Sequence, residues 1–410
     1  MKRFFSYLFF LFALGSLWFY RWQKTTSFPR EELIGQEVKI EGVLKKEPQS
    51  FSQTQTFSLE GLKVKTAREP VLHYGDRVEI VGKVEQSLTK DGKKELWLNY
   101  PSVNLLNPSA ARGFGRTIFS LRQKVVLFFE SLLPEPTASL VSGVLLGVKS
   151  TLPSDFYQNL VKTGMLHVVV ASGTNVVLVS SFVLPLLNRF FNRRRALLLT
   201  LPAIWFYVFL CGAEPPLLRA AIMASFSIGG TFFGRQKESW RGLALAGVLL
   251  ALFDPGMIFD LGFQLSFASS AGIIFFKNRL GNFFSWLPTF GSFKDDLLTT
   301  LAAQIFTTPL LLISFGQFSP FSFLANATLL WLISPIMLLG MILIIIGPFL
   351  PFLAQPFSWL VFLPSKIFVE GVSFWGHILP FFSFSLPWWL LIGYFGFWAT
   401  VIFKRPKIWY

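Results

Sequence analysis

Apolar residues fall at every second position from Gly35, in Val38 and Ile40 and then Val43, and again in Val78, Ile80 and Val84. A period of two sets one face of a pleated strand against a core. The segments GQEVKIEGVL from Gly35 and GDRVEIVGKV from Gly75 share a template, a turn glycine followed by a strand with a second glycine, Gly42 or Gly82. Shorter strand candidates at 56–59, 62–66 and 95–100 bring the count to about five, with no helix-length apolar period between them. Bends at the second glycines help such a sheet to close, so residues 31–108 are predicted to form a small β-barrel of OB type.

The period then lengthens. Phe114, Ile118, Leu121, Val125, Phe128 and Leu132 recur every three or four residues with charged residues between them, which predicts an amphipathic interfacial helix within 109–136. From 137 to 403 long apolar runs dominate, near 166–187, 196–213, 217–234, 242–253, 261–276, 297–313, 323–347, 357–378 and 387–403. Together with a charge-free run at 4–20, read as an uncleaved anchor within residues 1–30, these make about ten membrane segments. The predicted fold is a polytopic α-helical membrane protein with an N-terminal extracytoplasmic β domain and a basic tail at 404–410.

Composition agrees and charge adds topology. Of the 410 residues 52% are hydrophobic and only 14% charged, which excludes an ordinary cytosolic protein. The net charge of +15 does not reside in the β domain, where 11 basic face 12 acidic residues. Basic residues instead mark alternate loops: Arg189 with Arg193, Arg194 and Arg195; Arg235, Lys237 and Arg241; Lys277 and Arg279; and Lys404, Arg405 and Lys407. Under the positive-inside bias these loops and the C-terminus are cytoplasmic, while Glu214, Asp254, Asp260 and the β domain face outside. The lone cysteine, Cys211, excludes an intrachain disulfide.

Polar residues inside apolar runs need a reason, because charge at the bilayer centre is costly. The first cluster contains His167, Ser172, Gly173 and Asn175; in one helix, eight residues is a little over two turns, which sets His167 and Asn175 on one face. That face either lines a polar cavity or packs tightly against a neighbouring helix. The second holds Glu214 and Arg219, either an interfacial ion pair with a snorkelling arginine or part of a polar path. In the third, Asp260 and Gln264 stand four apart, Asp260 also being a candidate helix cap, and Ser266 follows. Asn326 is the fourth. In the β domain Phe51, Phe57, Tyr74, Trp97 and Tyr100 either fill the core or offer a stacking surface for bases, with Phe57, Trp97 and Tyr100 the candidates for that surface.

Nothing points to catalysis. His73, His167 and His377 are too far apart for a local metal motif, no cysteine pair exists, and no cofactor is expected. The stretch GVLLGVKS at 143–150 lacks the glycine spacing of a phosphate-binding loop.

The stretches TGMLHVVVASGTNV, EPPLLRAAIMASFSIGGTFFGR, DLGFQLSFASSAGI and FGQFSPFSFLANATLL, in this order behind an OB-like insert, resemble the competence protein family ComEC/Rec2. The resemblance implies a channel in the cytoplasmic membrane that imports single-stranded DNA during natural transformation. It also implies partners: a DNA receptor, and a cytoplasmic ATPase or strand-binding proteins that pull. Thr174 and Asn175 depart from the commonest family pattern, which has leucine and a second histidine there. Many members continue into a metallo-β-lactamase-like nuclease domain; this sequence ends about seven residues after its last apolar run, so a separate nuclease is expected to supply the single strand. The alternative is a solute or envelope-polymer transporter whose barrel binds carbohydrate. Single-strand binding that weakens steeply with salt distinguishes the first from the second.

Overall fold

A computed structural model describes residues 33–403 except 45–47, 52–53, 60–61, 68, 71, 73–74, 89–93, 108–113, 149–151, 170–171, 233–238, 288–292, 316, 320, 380–381, 384–386 and 388. The predicted anchor, the basic tail, Tyr74, Arg235 and Lys237 lie outside the described residues.

The β domain comprises β1 (Glu37–Val43), β2 (Gln49–Phe51), β3 (Thr54–Leu59), β4 (Leu62–Ala67), β5 (Arg77–Leu88), β6 (Lys94–Asn99) and β7 (Ser102–Asn107). The order is β1-β5-β6-β4-β3-β2, with β7 also on β5; β4 and β6 run parallel and the other pairs antiparallel. The two ends of this path, β1 and β2, are consecutive in the chain. The sheet curls as a half-barrel between them. β6 and β7 are separated at Tyr100, which takes a positive φ of 49°. Both follow the same edge of the long β5, β7 along 77–81 and β6 along 84–88. Five strands are legible in sequence and seven form among the described residues, β2 and β7 being the additions.

Gly82 permits the break at Tyr100, since a Cβ there would stand 2.7 Å from the Pro101 Cβ. Leu44, Phe57, Leu59, Leu62, Val64, Leu72, Val78, Ile80, Val84 and Leu98 fill the concave side. Gln55 is fully buried among them and ties down the following loop: its Nε2 donates to Ala67 O (2.9 Å) and Pro70 O (2.6 Å), and its Oε1 accepts from Leu72 N (3.3 Å).

The rest is helical: α1 (Phe114–Leu132), α2 (Thr137–Leu146), α3 (Ser154–Lys162), α4 (Leu166–Val169), α5 (Gly173–Phe190), α6 (Arg193–Leu210), α7 (Pro215–Phe232), α8 (Ser239–Phe253), α9 (Leu261–Phe283), α10 (Phe293–Phe315), α11 (Ser322–Leu329), α12 (Ile333–Ile346), α13 (Pro351–Ile378) and α14 (Leu390–Phe403). Four stretches among the described residues are long and apolar enough to cross a bilayer: Gly173–Phe190, Phe293–Ser314, Ser322–Ile346 and Pro351–Ile378. The chain is thus a multi-pass membrane protein. The other predicted runs among the described residues also form helices, but these fall short in length or apolar character.

The predicted amphipathic helix is α1, whose Ile118, Val125 and Phe129 are buried while Leu127 stays exposed. Between α1 and the first predicted span lies an element that a long apolar window overlooks. Every residue of the ten-residue α2 is buried, and α1, α12 and α13 pack around it. Helices α9 and α10 pack closely: a Cβ on Gly272 would come 2.3 Å from Ala302 O, so backbones touch there.

Candidate functional site

The segment 163–176 is not one helix. Helix α4 ends at Val169 and α5 begins at Gly173, with Ser172 extended (φ −108°, ψ 160°) at its N-cap. Serine before glycine suits a helix start, and the β-branched run Val168-Val169-Val170 adds little helical preference to resist a break. The expectation that His167 and Asn175 share a helix face is therefore corrected. His167 is exposed and its Nδ1–H donates to Gly164 O (2.8 Å), whereas Asn175 is fully buried.

Asn175 serves the end of α2. Its Nδ2 donates to Val144 O (2.8 Å), and its Oδ1 accepts from Ser172 Oγ (3.1 Å), which also lies 2.5 Å from Thr174 Oγ1. The next two carbonyls of α2 are met in turn. Cys211 Sγ donates to Leu145 O (3.3 Å) and Arg122 Nη2 to Leu146 O (3.1 Å), while Gly147 in the left-handed region closes the helix on Gly143 O. Carbonyls at a helix C-terminus have no intrahelical donor and carry partial negative charge, so a cation and two side-chain donors here stabilise a buried helix end.

Arg219 lies one turn into α7, which begins where Glu214 O accepts from both Leu217 N and Leu218 N (3.0 Å each). Its guanidinium does not snorkel outward. It turns to α9, with Nε donating to Ser266 Oγ (2.7 Å) and Nη1 to Ser270 Oγ; Met223 Sδ lies 3.8 Å from Nη1. On its other side the start of α5 closes in. A Cβ on Gly173 would stand 2.7 Å from Arg219 Nη2, so a glycine there makes room for the cation. Three separate polar clusters thus meet at one half-buried arginine. Ser270, missed as a candidate, shares a face with Ser266 four residues earlier, a spacing readable inside DLGFQLSFASSAGI.

The remaining candidates have local roles. Asp260 caps α9, its Oδ1 accepting from Phe263 N (2.9 Å), and Gln264 Nε2 donates to Ile258 O (3.0 Å). Asn326 is buried in α11 with its Oδ1 unbonded. The same helix reaches the first cluster, since a Cβ on Gly164 would stand 2.9 Å from Ser322 Cβ and Gln304 Nε2 donates to Ser322 Oγ (2.6 Å). Residues 164–175 therefore join the fourth segment at one end and the second and third at the other.

On the β domain the three aromatic candidates separate. Phe57 is buried in the core, which corrects its reading as a DNA contact, because β3 turns it to the concave side with Gln55 and Leu59. Trp97 and Tyr100 are on the outer surface, each beside a lysine of β4. Lys63 Nζ lies 5.3 Å from the Trp97 ring and Lys65 Nζ 5.9 Å from the Tyr100 ring, and Tyr100 is 60% exposed. Asn99 between them donates to Glu85 Oε2 (2.7 Å). Alternation on β4 sets Lys63 and Lys65 outward and Leu62, Val64 and Thr66 inward.

Comparison with known proteins places this arrangement. Residues 144–406 match the family described as Competence protein. ComE operon protein 3 of Bacillus subtilis (strain 168) is 29% identical over 228 residues, 55% of this chain and 29% of that protein. An uncharacterized protein of Aquifex aeolicus (strain VF5) is 30% identical over 194 residues, 47% of this chain and 44% of its own length. Uncharacterized protein YcaI of Escherichia coli (strain K12) is 24% identical over 299 residues, 67% of this chain and 39% of its own length. The chain thus spans less than half the length of each of these relatives, and no solved structure matches it. The matched region runs from the buried carbonyl end of α2 through every helix of the Arg219 cluster, and the chain belongs to the competence protein family.

Proposed function

We propose that the chain carries single-stranded DNA across the cytoplasmic membrane during natural transformation, acting as a conduit without catalysis of its own. Family membership supports a role in DNA uptake. The observation that carries the finer reading is the setting of Arg219: a guanidinium inside a helical bundle, bonded to neutral hydroxyls of Ser266 and Ser270 and set against the first turn of α5. A helix N-terminus carries partial positive charge and exposed N–H groups, so an arginine beside it favours an anion, and phosphodiesters are anions. Conduction needs contacts weak enough to release, which one arginine with two hydroxyls meets better than a continuous basic lining.

The outer face of the β domain receives the strand in this scheme. Trp97 and Tyr100 offer stacking planes, and Lys63 and Lys65 beside them neutralise phosphates. Rings flanked by cations suit bases on a phosphodiester chain better than the uncharged sugars of the alternative reading. The β domain faces outside, the loops with Arg189, Arg193–Arg195 and Arg241 face the cytoplasm, and a separate receptor, nuclease and cytoplasmic motor or strand-binding proteins complete the route. The test is deletion of the gene, scored for labelled DNA held at the surface or delivered to the cytosol. The proposal expects surface-bound DNA that never enters; delivery at the parental level would sink it.

A further inference from the structure

Three large apolar side chains, Val43, Leu105 and Leu106, stand exposed at one end of the β domain. Register brings them together at the start of β5, where Val43 of β1 is opposite Arg77 and Leu105 of β7 is opposite Val78. β1 and β7 flank β5, so the three lie within two strand spacings, about 10 Å. The β5–β7 ladder shifts here: Arg77 faces Asn107, which leaves Leu106 as an extra residue with no partner on β5. A bulge of this kind interrupts alternation and re-aims a side chain, so two consecutive leucines are both exposed. Among the described residues no strand of the β domain packs against a helix beyond isolated contacts, and the bundle does not cover this rim.

What covers the rim follows from where the chain goes next. β7 ends at Asn107 and α1 begins at Phe114, and a link of that length reaches at most about 25 Å. The rim is therefore tethered close to α1, whose Leu121 and Leu127 are exposed in their turn. The bilayer that holds the bundle is the one apolar neighbour common to both. Arg77 stands in the rim, its Nη2 3.5 Å from Glu41 Oε2 and its side chain 54% exposed, and a cation on a long stem reaches headgroup phosphates while leucines enter below them. We infer that Val43, Leu105 and Leu106 form a lipid-docking surface, seated at the boundary between headgroups and acyl chains. Seating this end orients the domain. β5 runs away from the rim and β6 returns toward it, with Trp97 opposite Glu85, about 26 Å from Arg77 along β5, and Tyr100 just before β7. β4 runs parallel to β6, Lys63 opposite Trp97 and Lys65 beside Tyr100, so the row of lysines and rings points at the bilayer. That alignment matters only if the chain conducts a strand; the seating itself is independent of it.

The test uses the full chain with Cys211→Ser and one engineered cysteine, reconstituted in vesicles of phosphatidylcholine and phosphatidylglycerol and labelled with the environment-sensitive dye NBD. Leu106→Cys reports on the rim, and Gln86→Cys on the far part of β5, about 30 Å away. The dye at 106 is expected to emit in the blue-shifted range and to be quenched by nitroxides on the lipid chains, and the dye at 86 to do neither. With the dye at Val43→Cys, adding Leu105→Asp and Leu106→Asp should cut the quenched fraction at least about tenfold. Leu105→Phe with Leu106→Phe, still apolar, should keep it, which separates lost lipid contact from a damaged barrel. Water-like emission at 106 overturns the inference. So does blue-shifted emission that lipid nitroxides leave unquenched, which would put protein rather than lipid on the rim, and so does equal quenching at 106 and 86, which would lay the barrel flat.

Discussion

Gly173 and Asn175 stand two residues apart and do different work. Gly173 makes room for Arg219 Nη2, which is the far end of a flexible side chain. Gly173→Ala should therefore leave the fold intact but push the guanidinium off Ser266 and Ser270. Loss of even one of these two charge-assisted hydrogen bonds corresponds to about tenfold, so transformation should fall by at least about that factor with unchanged thermal stability. Transformation at the wild-type level would separate the glycine from function. Asn175→Leu should do the reverse, leaving Val144 O buried and unpaired at a cost of about 1–3 kcal/mol, read as a lower melting temperature in detergent. The sequence signal at both positions was the same, a polar or small residue in an apolar run. Only the partner across the bundle, a guanidinium for one and a carbonyl for the other, separates a candidate path residue from a packing residue, and neither partner is near in sequence.

At the scale of elements, breaks carry more information than helices. Pro309 within α10 has no N–H to give Ile305 O, and Tyr394 Oη of α14 donates to that carbonyl at 2.6 Å. Tyr394→Phe should cost about 1–2 kcal/mol and speed hydrogen exchange in α14. In the same background Pro309→Ala should recover part of the loss by returning the amide; no recovery would mean that the hydroxyl acts elsewhere. The nine apolar runs from 166 onward were legible because each pairs a long apolar stretch with a charged or proline-bearing boundary. The break at Ser172 was not, because the apolar run Val168-Val169-Val170 keeps the hydropathy high up to it. Helices α2 and α3 escaped for the opposite reason: at 10 and 9 residues they are shorter than any spanning window. In the β domain the period of two located the strands, whereas the break at Tyr100 depends on how β6 and β7 share β5, which is a long-range fact.

For the whole molecule, the central claim is that the family's separated segments converge on Arg219 to place one cation in the path of a phosphodiester strand. The +15 net charge is mostly a matter of loop topology in this account, and a single half-buried arginine carries the transport role. The claim is tested most directly by following labelled DNA in cells whose only copy of the protein carries Arg219→Ala, with the membrane level of the protein measured alongside. The account predicts DNA retained at the surface, none in the cytosol, and a normal amount of protein in the membrane. Cytosolic delivery equal to wild type, from a variant present at wild-type level, would contradict it.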